Sequence, residues 1–284
     1  MNKINSKVLM SGVDYFAVEE LNPYSSMSNQ PKLSAAKTEY NLLQQTFNNS
    51  GIEVVKVPAP ENCQDGVYTA NWALCLNGLA IMANLPKMRT QETPFATKYL
   101  RDLGYDIMNL PENVRFSGQG DALVCGDYLF AGHGYRTDLE AHEYIKKAFG
   151  GEVVSLKTVP AYDVNKKPII NSITGWDDSY FYDIDLAVSV INDDLIAWCP
   201  EAFMPESQEI IRSVKLDKIE VSLEEALGGF ACNLLSTGDV VIMSDNAPQL
   251  KNNLEQKGLK TVSPKMTELS KGGGYIRCTT LTLS

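Results

Sequence analysis

A motif of two short apolar strands joined by a tight polar turn recurs along this chain and constrains its fold more than any other feature. The turns fall at Asn77-Gly78, Gly126-Asp127, residues 192–194 and Gly238-Asp239. Glycine, asparagine and aspartate suit tight hairpin turns because they tolerate the positive φ angles that such turns require. The sequence therefore predicts four β-hairpins, over residues 72–82, 122–131, 186–198 and 232–243.

Segments with helical spacing of apolar residues lie between the hairpins, and most of them lead into a further short strand. The predicted helices cover residues 34–48, 93–103, 139–149, 207–214 and 248–256, and the predicted strands cover residues 52–57, 152–156 and 218–221. The repeating unit is therefore hairpin, helix and strand. A fifth unit forms if a terminal strand around Cys278 pairs with the first strand of the chain, residues 8–15.

Five such units closed into a ring would leave no exposed sheet edge and would bring strand ends from distant parts of the chain to one axis. Side chains that are far apart in sequence would meet there. A doubly wound parallel sheet is the competing architecture. It would require longer apolar strands and fewer hairpins.

The composition indicates a globular protein, with 44% hydrophobic residues and a net charge of -10 over 284 residues. That length is sufficient for one large domain or for two. The negative charge argues against nucleic acid and anionic membranes as partners, because both would repel it. A small cationic molecule is the expected partner. The polar start of the chain and the lack of an apolar stretch of about 18 residues predict a cytoplasmic protein.

Six cysteines are scattered along the chain without a C-x-x-C pair, so we expect reduced thiols and no structural metal. Cys278 stands out among them because it follows three glycines, residues 272–274, and precedes an alternating Thr-Thr-Leu-Thr-Leu segment. Bare glycine backbone lets a ligand approach, and a strand would hold the thiol in place. An unpaired cysteine in a strand is otherwise a small buried hydrophobe. Both interpretations are open at this point.

Seven groups of residues occur in order from Asn22 to Cys278. They are Asn22-Pro23, residues 68–74, Phe116 with residues 118–121, residues 134–137, Phe181-Tyr182 with Asp185, residues 200–203, and Gly273-Gly274 with Cys278. Together they resemble the guanidino-group modifying enzymes, which include arginine deiminase, arginine dihydrolase, dimethylarginine dimethylaminohydrolase and the amidinotransferases. The resemblance implies an α/β five-bladed propeller, the pentein fold, with pseudo-fivefold hairpin-helix-strand repeats, as a single domain over residues 1–284.

The resemblance implies that Cys278 is a nucleophile that attacks the central carbon of a guanidinium group. An amine would leave, and water or another acceptor would then free the cysteine. No metal or organic cofactor is implied. Thiol chemistry agrees with this, because the thiolate is the attacking form and a bound cation would lower the thiol pKa. Asn22 and Asn71 match positions that contact substrate in the family, although Asn71 could also serve only as a strand cap.

The resemblance also implies roles for an arginine and two carboxylates. Arg136 precedes a predicted helix and could hold a substrate carboxylate with its planar guanidinium. A surface salt bridge is the alternative, although a cation at a helix start opposes the helix dipole. Asp121 matches a site carboxylate rather than a simple turn residue, and Asp185 is similar. Gly118 is expected among the residues that contact the substrate.

Two positions depart from the family pattern. Asp183 stands where the family has a histidine that acts as general acid and base, and Ser117 stands where it has a carboxylate that binds the guanidinium. An aspartate with a pKa near 3.9 transfers protons poorly at neutral pH. Crowding by Asp185 would raise the pKa of Asp183 and restore part of that function. A carboxylate at position 183 would also attract a cation and compensate in part for Ser117.

The chain has two histidines. His142 is expected on the exposed face of a helix, and His133 is a turn residue or a substitute for the missing base.

The sequence predicts a hydrolase acting on the guanidino group of arginine or a methylated or related arginine, with Asp183, Asp121 and Asp185 assisting Cys278. The alternative is a catalytically silent protein, natural or altered at Asp183, that binds arginine-like ligands or a partner. Amidino transfer and assembly as a homo-oligomer also remain open.

Overall fold

The computed structural model describes residues 3–283 and contains five sheets of three strands each. The strands are β1 (Lys7–Ser11), β2 (Glu53–Val57), β3 (Ala73–Leu76), β4 (Leu79–Met82), β5 (Asp106–Met108), β6 (Ala122–Cys125), β7 (Tyr128–Gly132), β8 (Glu152–Leu156), β9 (Val188–Asn192), β10 (Leu195–Trp198), β11 (Asp217–Glu220), β12 (Leu235–Ser236), β13 (Val240–Ile242), β14 (Lys260–Val262) and β15 (Leu281–Thr282). The helices are α1 (Leu33–Asn49), α2 (Glu92–Asp102), α3 (Ala141–Phe149), α4 (Pro205–Ser213), α5 (Leu223–Gly229) and α6 (Pro248–Gln256).

All five sheets share one design. The middle strand pairs antiparallel with one neighbour and parallel with the other. The turn at Asn77-Gly78 shows how sequence specifies the antiparallel pair, because both residues have positive φ (48° and 81°), as a tight hairpin requires. All four predicted hairpins are confirmed, as β3–β4, β6–β7, β9–β10 and β12–β13. Five separate small sheets fit a pseudo-fivefold repeat and exclude the doubly wound alternative.

The fifth sheet joins the two ends of the chain. β15 pairs antiparallel with β1, with Val8 opposite Thr282 and Leu9 opposite Leu281, as the sequence predicts. The expectation that Cys278 itself lies in this strand is wrong, because the chain forms a turn at that point and β15 begins only later. Two threonine hydroxyls explain the late start. Thr279 and Thr280 donate back to carbonyl oxygens three residues earlier, and such local bonds compete with pairing in a sheet.

The helices predicted from apolar spacing are present with ends shifted by at most two residues, and one helix was missed. In α1, the buried residues Ala36, Tyr40, Leu43 and Phe47 recur at helical spacing and form its inner face. The missed helix is α5, which begins after Ser222. The Ser222 hydroxyl accepts a bond from the backbone of the residue three positions later, which is a helix-start signal that the sequence carries.

One strand of each sheet lies on the inside. These inner strands are β3, β6, β9, β12 and β15; β9 contacts β6 and β12, and β15 contacts β3. A cavity of about 340 Å³ lies among them, and residues in or beside every inner strand line it. We call it the inner-strand cavity.

Within residues 3–283, no helix has the length and the apolar character needed to cross a membrane.

Glu225 of α5 provides a stabilising contact that can be tested. Its buried carboxylate accepts hydrogen bonds from the backbone nitrogens of Gln249 (2.6 Å) and Leu250 (3.0 Å) and so caps the start of α6. A Glu225→Gln change removes the charge and leaves one of the two nitrogens without an acceptor. We expect it to lower the free energy of unfolding by roughly 1–3 kcal/mol, measured by urea denaturation.

Glu224→Gln is the matched control for Glu225→Gln, because Glu224 is the exposed neighbour on the same helix and should tolerate the change. Equal stability of the two variants would show that Glu225 does not hold α6.

Candidate active site

Apart from Asn22 and Arg136, the site residues predicted from the sequence lie in the turns that lead into the inner strands. These residues, each with the strand that follows it, are Asn71 (β3), Ser117 and Asp121 (β6), Asp183 and Asp185 (β9), and Cys278 (β15). The turn over residues 69–71 contacts the turn over residues 118–120. The turn over residues 118–120 also contacts the turn over residues 184–186. The structure therefore brings these six side chains together at one end of the inner strands. We call Asp121, Asp183 and Asp185 the carboxylate cluster.

The thiol of Cys278 is 3% exposed and has two polar neighbours. The Asn233 side-chain nitrogen donates to Sγ (3.2 Å), and Sγ lies 3.5 Å from Oδ2 of Asp185. The side-chain oxygen of Asn233 accepts from the backbone nitrogens of Cys278 (3.1 Å) and Tyr275 (3.2 Å), so Asn233 holds both the thiol and its loop. Burial, followed by the charges of Asp185 and Asp183, holds the pKa of the Cys278 thiol well above its usual value.

Asp183 and Ser117, the two departures from the family pattern, are in direct contact. Ser117 Oγ donates to Oδ1 of Asp183 (2.6 Å), and Asn71 Nδ2 donates to Oδ2 (2.8 Å). Arg136 Nη1 lies 3.6 Å from the same Oδ2. The carboxylate is fully buried, and these donors occupy both of its oxygens. Asp183 therefore places a carboxyl group directly beside Ser117, the position at which the family has a carboxylate.

The other two carboxyls of the cluster respond to that charge. Burial and the charge of Asp183 raise the pKa of Asp121 to about 8 and the pKa of Asp185 well above its usual value. Both oxygens of Asp121 accept hydrogen bonds, from Ile184 N (2.9 Å) and Thr137 Oγ1 (2.6 Å). Oδ1 of Asp185 is buried without a hydrogen-bond partner among the described residues. Carboxyls crowded in this way do not all ionise together, so the cluster holds protons near neutral pH.

Arg136 is buried, so it is not a residue of a surface salt bridge. Its guanidinium carbon lies 3.9 Å from the centre of the Tyr182 ring, and Nη2 donates to the carbonyl oxygen of Leu21 (3.3 Å). The Tyr182 hydroxyl donates to the carbonyl oxygen of Gly273 (2.7 Å). Arg136 is therefore held between the carboxylate cluster and the chain segment that begins at Leu21.

Asn22 and Gly118 stabilise the backbone of the loops around the site. The side chain of Asn22 donates to the carbonyl oxygen of Gly272 (2.9 Å) and accepts from the backbone nitrogen of Tyr24 (3.0 Å). Gly118 has a φ of 61°, and a Cβ there would approach the carbonyl oxygen of Ala70 to 2.7 Å. A side chain at position 118 would push the site turns apart, so glycine is required for packing as well as for conformation.

A buried ion-pair network that sequence analysis missed lies behind Asn71. Arg89, which is 2% exposed, donates from Nη1 to the Asn71 side-chain oxygen (2.9 Å) and from Nε and Nη2 to the carboxylate of Glu92 (2.8 Å each). The Asn71 oxygen therefore faces Arg89, which leaves its amide nitrogen to face the carboxylate cluster. In the sequence, Arg89 and Glu92 look like two solvent-exposed charges three residues apart. No nearby residue indicates that both are buried.

Asn233 was also missed, although the repeat carries a signal for it. It lies two residues before β12, as Asn71 lies two residues before β3. Equivalent positions in a structural repeat point to the same place, so an alignment of the repeating units would have drawn attention to Asn233.

The histidines lie apart from the cluster. The prediction that His142 is exposed is wrong, because it is 4% exposed and its ring bonds to Ser155 Oγ (2.7 Å) and to the carbonyl oxygen of Gly132 (2.9 Å). The ring of His133 packs against His142, with 5.8 Å between ring centres, and makes no hydrogen bond to the carboxylate cluster in the described chain. This geometry does not support His133 as a substitute base.

Among the described residues, no group of three or more His, Cys, Asp or Glu side chains is arranged to hold a metal ion.

Comparison with solved structures gives close matches to the N-terminal domain of ArgZ, an arginine dihydrolase from cyanobacteria. The product-bound form of that domain has a TM-score of 0.87 at 28% identity, covering 98% of this chain and 97% of that chain. A variant of the domain covalently bonded to a reaction intermediate matches with a TM-score of 0.87 at 27% identity, with the same coverage. The dimethylarginine dimethylaminohydrolase of Pseudomonas aeruginosa has a TM-score of 0.76 at 16% identity, over 98% of this chain and 99% of that one, which supports the fold alone.

Two sequence relatives agree with this. The bifunctional arginine dihydrolase/ornithine cyclodeaminase ArgZ of Synechocystis is 28% identical over 281 residues, which is 97% of this chain and 37% of that protein. This chain thus spans little more than a third of that relative's length. The N(G),N(G)-dimethylarginine dimethylaminohydrolase of Mycobacterium tuberculosis is 30% identical over 272 residues, covering 94% of this chain and 82% of that protein.

The family model for eukaryotic N,N dimethylarginine dimethylhydrolase matches residues 18–284, which is nearly the whole chain. The ordered motifs, the five small sheets and these matches agree. The chain belongs to the dimethylarginine dimethylhydrolase family, within the guanidino-modifying enzymes that share the pentein fold.

Proposed function

We propose that this protein hydrolyses the guanidino group of arginine or a methylated arginine through a covalent intermediate on Cys278. The observation that carries the proposal is the contact of a buried thiol with a cluster of three buried carboxyls, in a chain that superposes on a domain solved with a covalently bonded reaction intermediate. Such a cluster favours a cation, and a thiol beside it is positioned to attack that cation.

We also infer that the five sheets close into a five-bladed α/β propeller, in one domain over residues 1–284. The contacts between neighbouring inner strands and the pairing of β15 with β1 support this inference. Closure would bring the turns before all the inner strands to one axis, where the site residues meet.

In this proposal, Asp183 binds the guanidinium and takes over the task that Ser117 cannot perform. Its carboxylate already accepts from Ser117 and Asn71, so it is positioned to accept guanidinium N–H groups. Arg136 would bind the substrate carboxylate in place of the Leu21 carbonyl oxygen. Because the site side chains are almost fully buried, the segment that begins at Leu21 would have to move for substrate to enter.

Asp185 is the proton carrier in this mechanism. The positive charge of the substrate lowers the pKa of Asp185 and of the thiol, so Asp185 becomes ionised and its Oδ2 accepts the thiol proton across 3.5 Å. The thiolate of Cys278 attacks the guanidinium carbon; a C–S bond forms and the C=N π electrons move to nitrogen. The bond to the leaving nitrogen then breaks with its electron pair. That nitrogen takes the proton from Asp185 and departs as ammonia or a methylamine.

Water completes the reaction. It adds to the carbon bound to sulfur and gives a proton to Asp185, and the C–S bond breaks to release the thiolate. The product of a single hydrolysis of arginine is citrulline, and a second round would give ornithine. Asp121 has both oxygens occupied by Thr137 and Ile184, so its task is to hold the Asp183 segment in place. Asn22 would anchor the glycine loop before Cys278.

Cys278→Ser is expected to abolish product formation from arginine and dimethylarginine, because an alcohol is a far weaker nucleophile than a thiolate. Cys125→Ser is the matched control. Cys125 is buried in β6, and its Sγ donates to the carbonyl oxygen of Asn192 (3.3 Å), a bond that a hydroxyl can also make. Chromatography would follow citrulline and ornithine, and mass spectrometry of acid-quenched protein would detect the adduct.

An adduct present in the Cys125→Ser variant and absent from Cys278→Ser is the expected result. Turnover that survives in Cys278→Ser would overturn the proposal. Binding of arginine with neither adduct nor product would instead indicate a silent binding protein.

Asp183→Asn should have two opposite effects. Loss of the charge should raise KM for arginine about tenfold or more, because a charge-assisted contact to the guanidinium disappears. Without substrate, the same variant should react faster with iodoacetamide at pH 8, because the charge of Asp183 raises the pKa of Cys278. Asp127→Asn, an exposed change, is the control. A KM that does not change, with only kcat reduced, would show that Asp183 acts in proton transfer rather than in binding.

Asn233→Ala tests the contact between an amide and the thiol. The Asn233 N–H group stabilises the thiolate and lowers the thiol pKa, so its removal should move the pH midpoint of Cys278 alkylation upward and slow alkylation at pH 8. We expect kcat to fall about tenfold or more, with the loss recovered in part at higher pH. Asn252→Ala, at an exposed position of α6, is the control. An unchanged alkylation profile would limit Asn233 to a role in folding.

A further inference from the structure

Arg277 is a buried cation outside the proposed substrate site. It precedes Cys278, but its guanidinium donates to Gln119 Oε1 (3.0 Å), to the Thr280 carbonyl oxygen (3.1 Å) and to Thr282 Oγ1 (3.3 Å). It is 8% exposed and forms no ion pair within 4.0 Å among residues 3–283, although the charge of Asp185 attracts it from farther away. A buried charge is ordinarily paired with a counter-ion, because burial without one is costly.

Arg277 is also one of the residues that line the inner-strand cavity. Arg277, Gln119 and Asp185 are part of its wall, and much of the remaining wall is apolar, from residues such as Leu123, Val188 and Leu234. Its volume of about 340 Å³ is at the lower end of the range for small-molecule sites. The cavity therefore combines a charged group with hydrocarbon surface.

A second observation also points to a ligand. Asp185 is one of the residues that line the same cavity, and its buried Oδ1 has no hydrogen-bond partner among the described residues. Buried polar atoms in folded proteins nearly always have a partner. One oxygen-bearing anion in the cavity would pair with the Arg277 guanidinium and also accept a hydrogen bond from the protonated Asp185 carboxyl.

We propose that the inner-strand cavity binds a small monocarboxylate with a short hydrocarbon chain, held by Arg277 and Asp185. The flat guanidinium fork matches a carboxylate group, and the apolar wall matches the hydrocarbon chain. This site adjoins the proposed substrate site without coinciding with it, because Cys278, Asp183 and Arg136 do not line the cavity. Asp185 belongs to both sites, with Oδ2 towards the thiol and Oδ1 without a protein partner.

Titration calorimetry with butyrate and its neutral isostere butyramide tests the proposal on the full chain. We expect butyrate to bind at least about tenfold more tightly than butyramide, because only the anion pairs with Arg277. Arg277→Gln should remove that preference, and Arg136→Gln, in the substrate site, should preserve it. Equal binding of the two compounds, or loss of the preference in Arg136→Gln instead, would overturn the proposal.

Crystals of the unsubstituted protein soaked in 3-(methylseleno)propionate locate the ligand without relying on a variant that folds. The expected result is a selenium anomalous peak among the inner strands, with the carboxylate at Arg277. A peak found only beside Arg136, or no peak at all, would contradict the proposed site. These readouts do not depend on turnover, so they remain valid if the proposed hydrolase activity fails.

Discussion

The contacts of the buried Asp183 side chain are the interactions on which the candidate site depends. Ser117 and Asn71 hold its carboxylate by hydrogen bonds, and Arg136 lies close to it. Burial and the charge of Asp183 raise the pKa of Asp121 and of Asp185. Burial, followed by the charges of Asp185 and Asp183, raises the pKa of the Cys278 thiol. Without a ligand, these shifts favour the protonated carboxyls and the neutral thiol. A bound cation would lower these pKa values and so favour the ionised carboxyls and the thiolate of Cys278.

The repeated unit explains how one polar site arises from distant segments of the chain. Each inner strand is preceded by a turn, and these turns carry the side chains that meet. The five units share one backbone arrangement, but the residues of their turns differ. The turns carry an amide at positions 71 and 233, carboxyls at 121, 183 and 185, and a thiol at 278. The backbone is therefore common to the five units, and the chemistry is specific to each turn.

The features that the sequence predicts correctly are those with a local cause. The Asn77-Gly78 turn and the alternating strands specify hairpins wherever they occur, and apolar spacing specifies α1. What could not be predicted depends on contacts across the fold. Arg89 looks like a surface residue until Glu92 and Asn71 enclose it, and His142 is buried by bonds that involve β7 and β8. The strand expected around Cys278 fails because hydroxyls next to it bond back to the chain.

The pairing of β15 with β1 has a consequence for the stability of the candidate site. The loop that carries Cys278 leads into a strand of only two residues, whose partner comes from the other end of the chain. Contacts between such remote segments close the largest loop in the molecule, so they are expected to form late during folding and to open early under stress. Opening of this one strand pairing would displace the loop that carries Cys278 while the other four sheets remained intact.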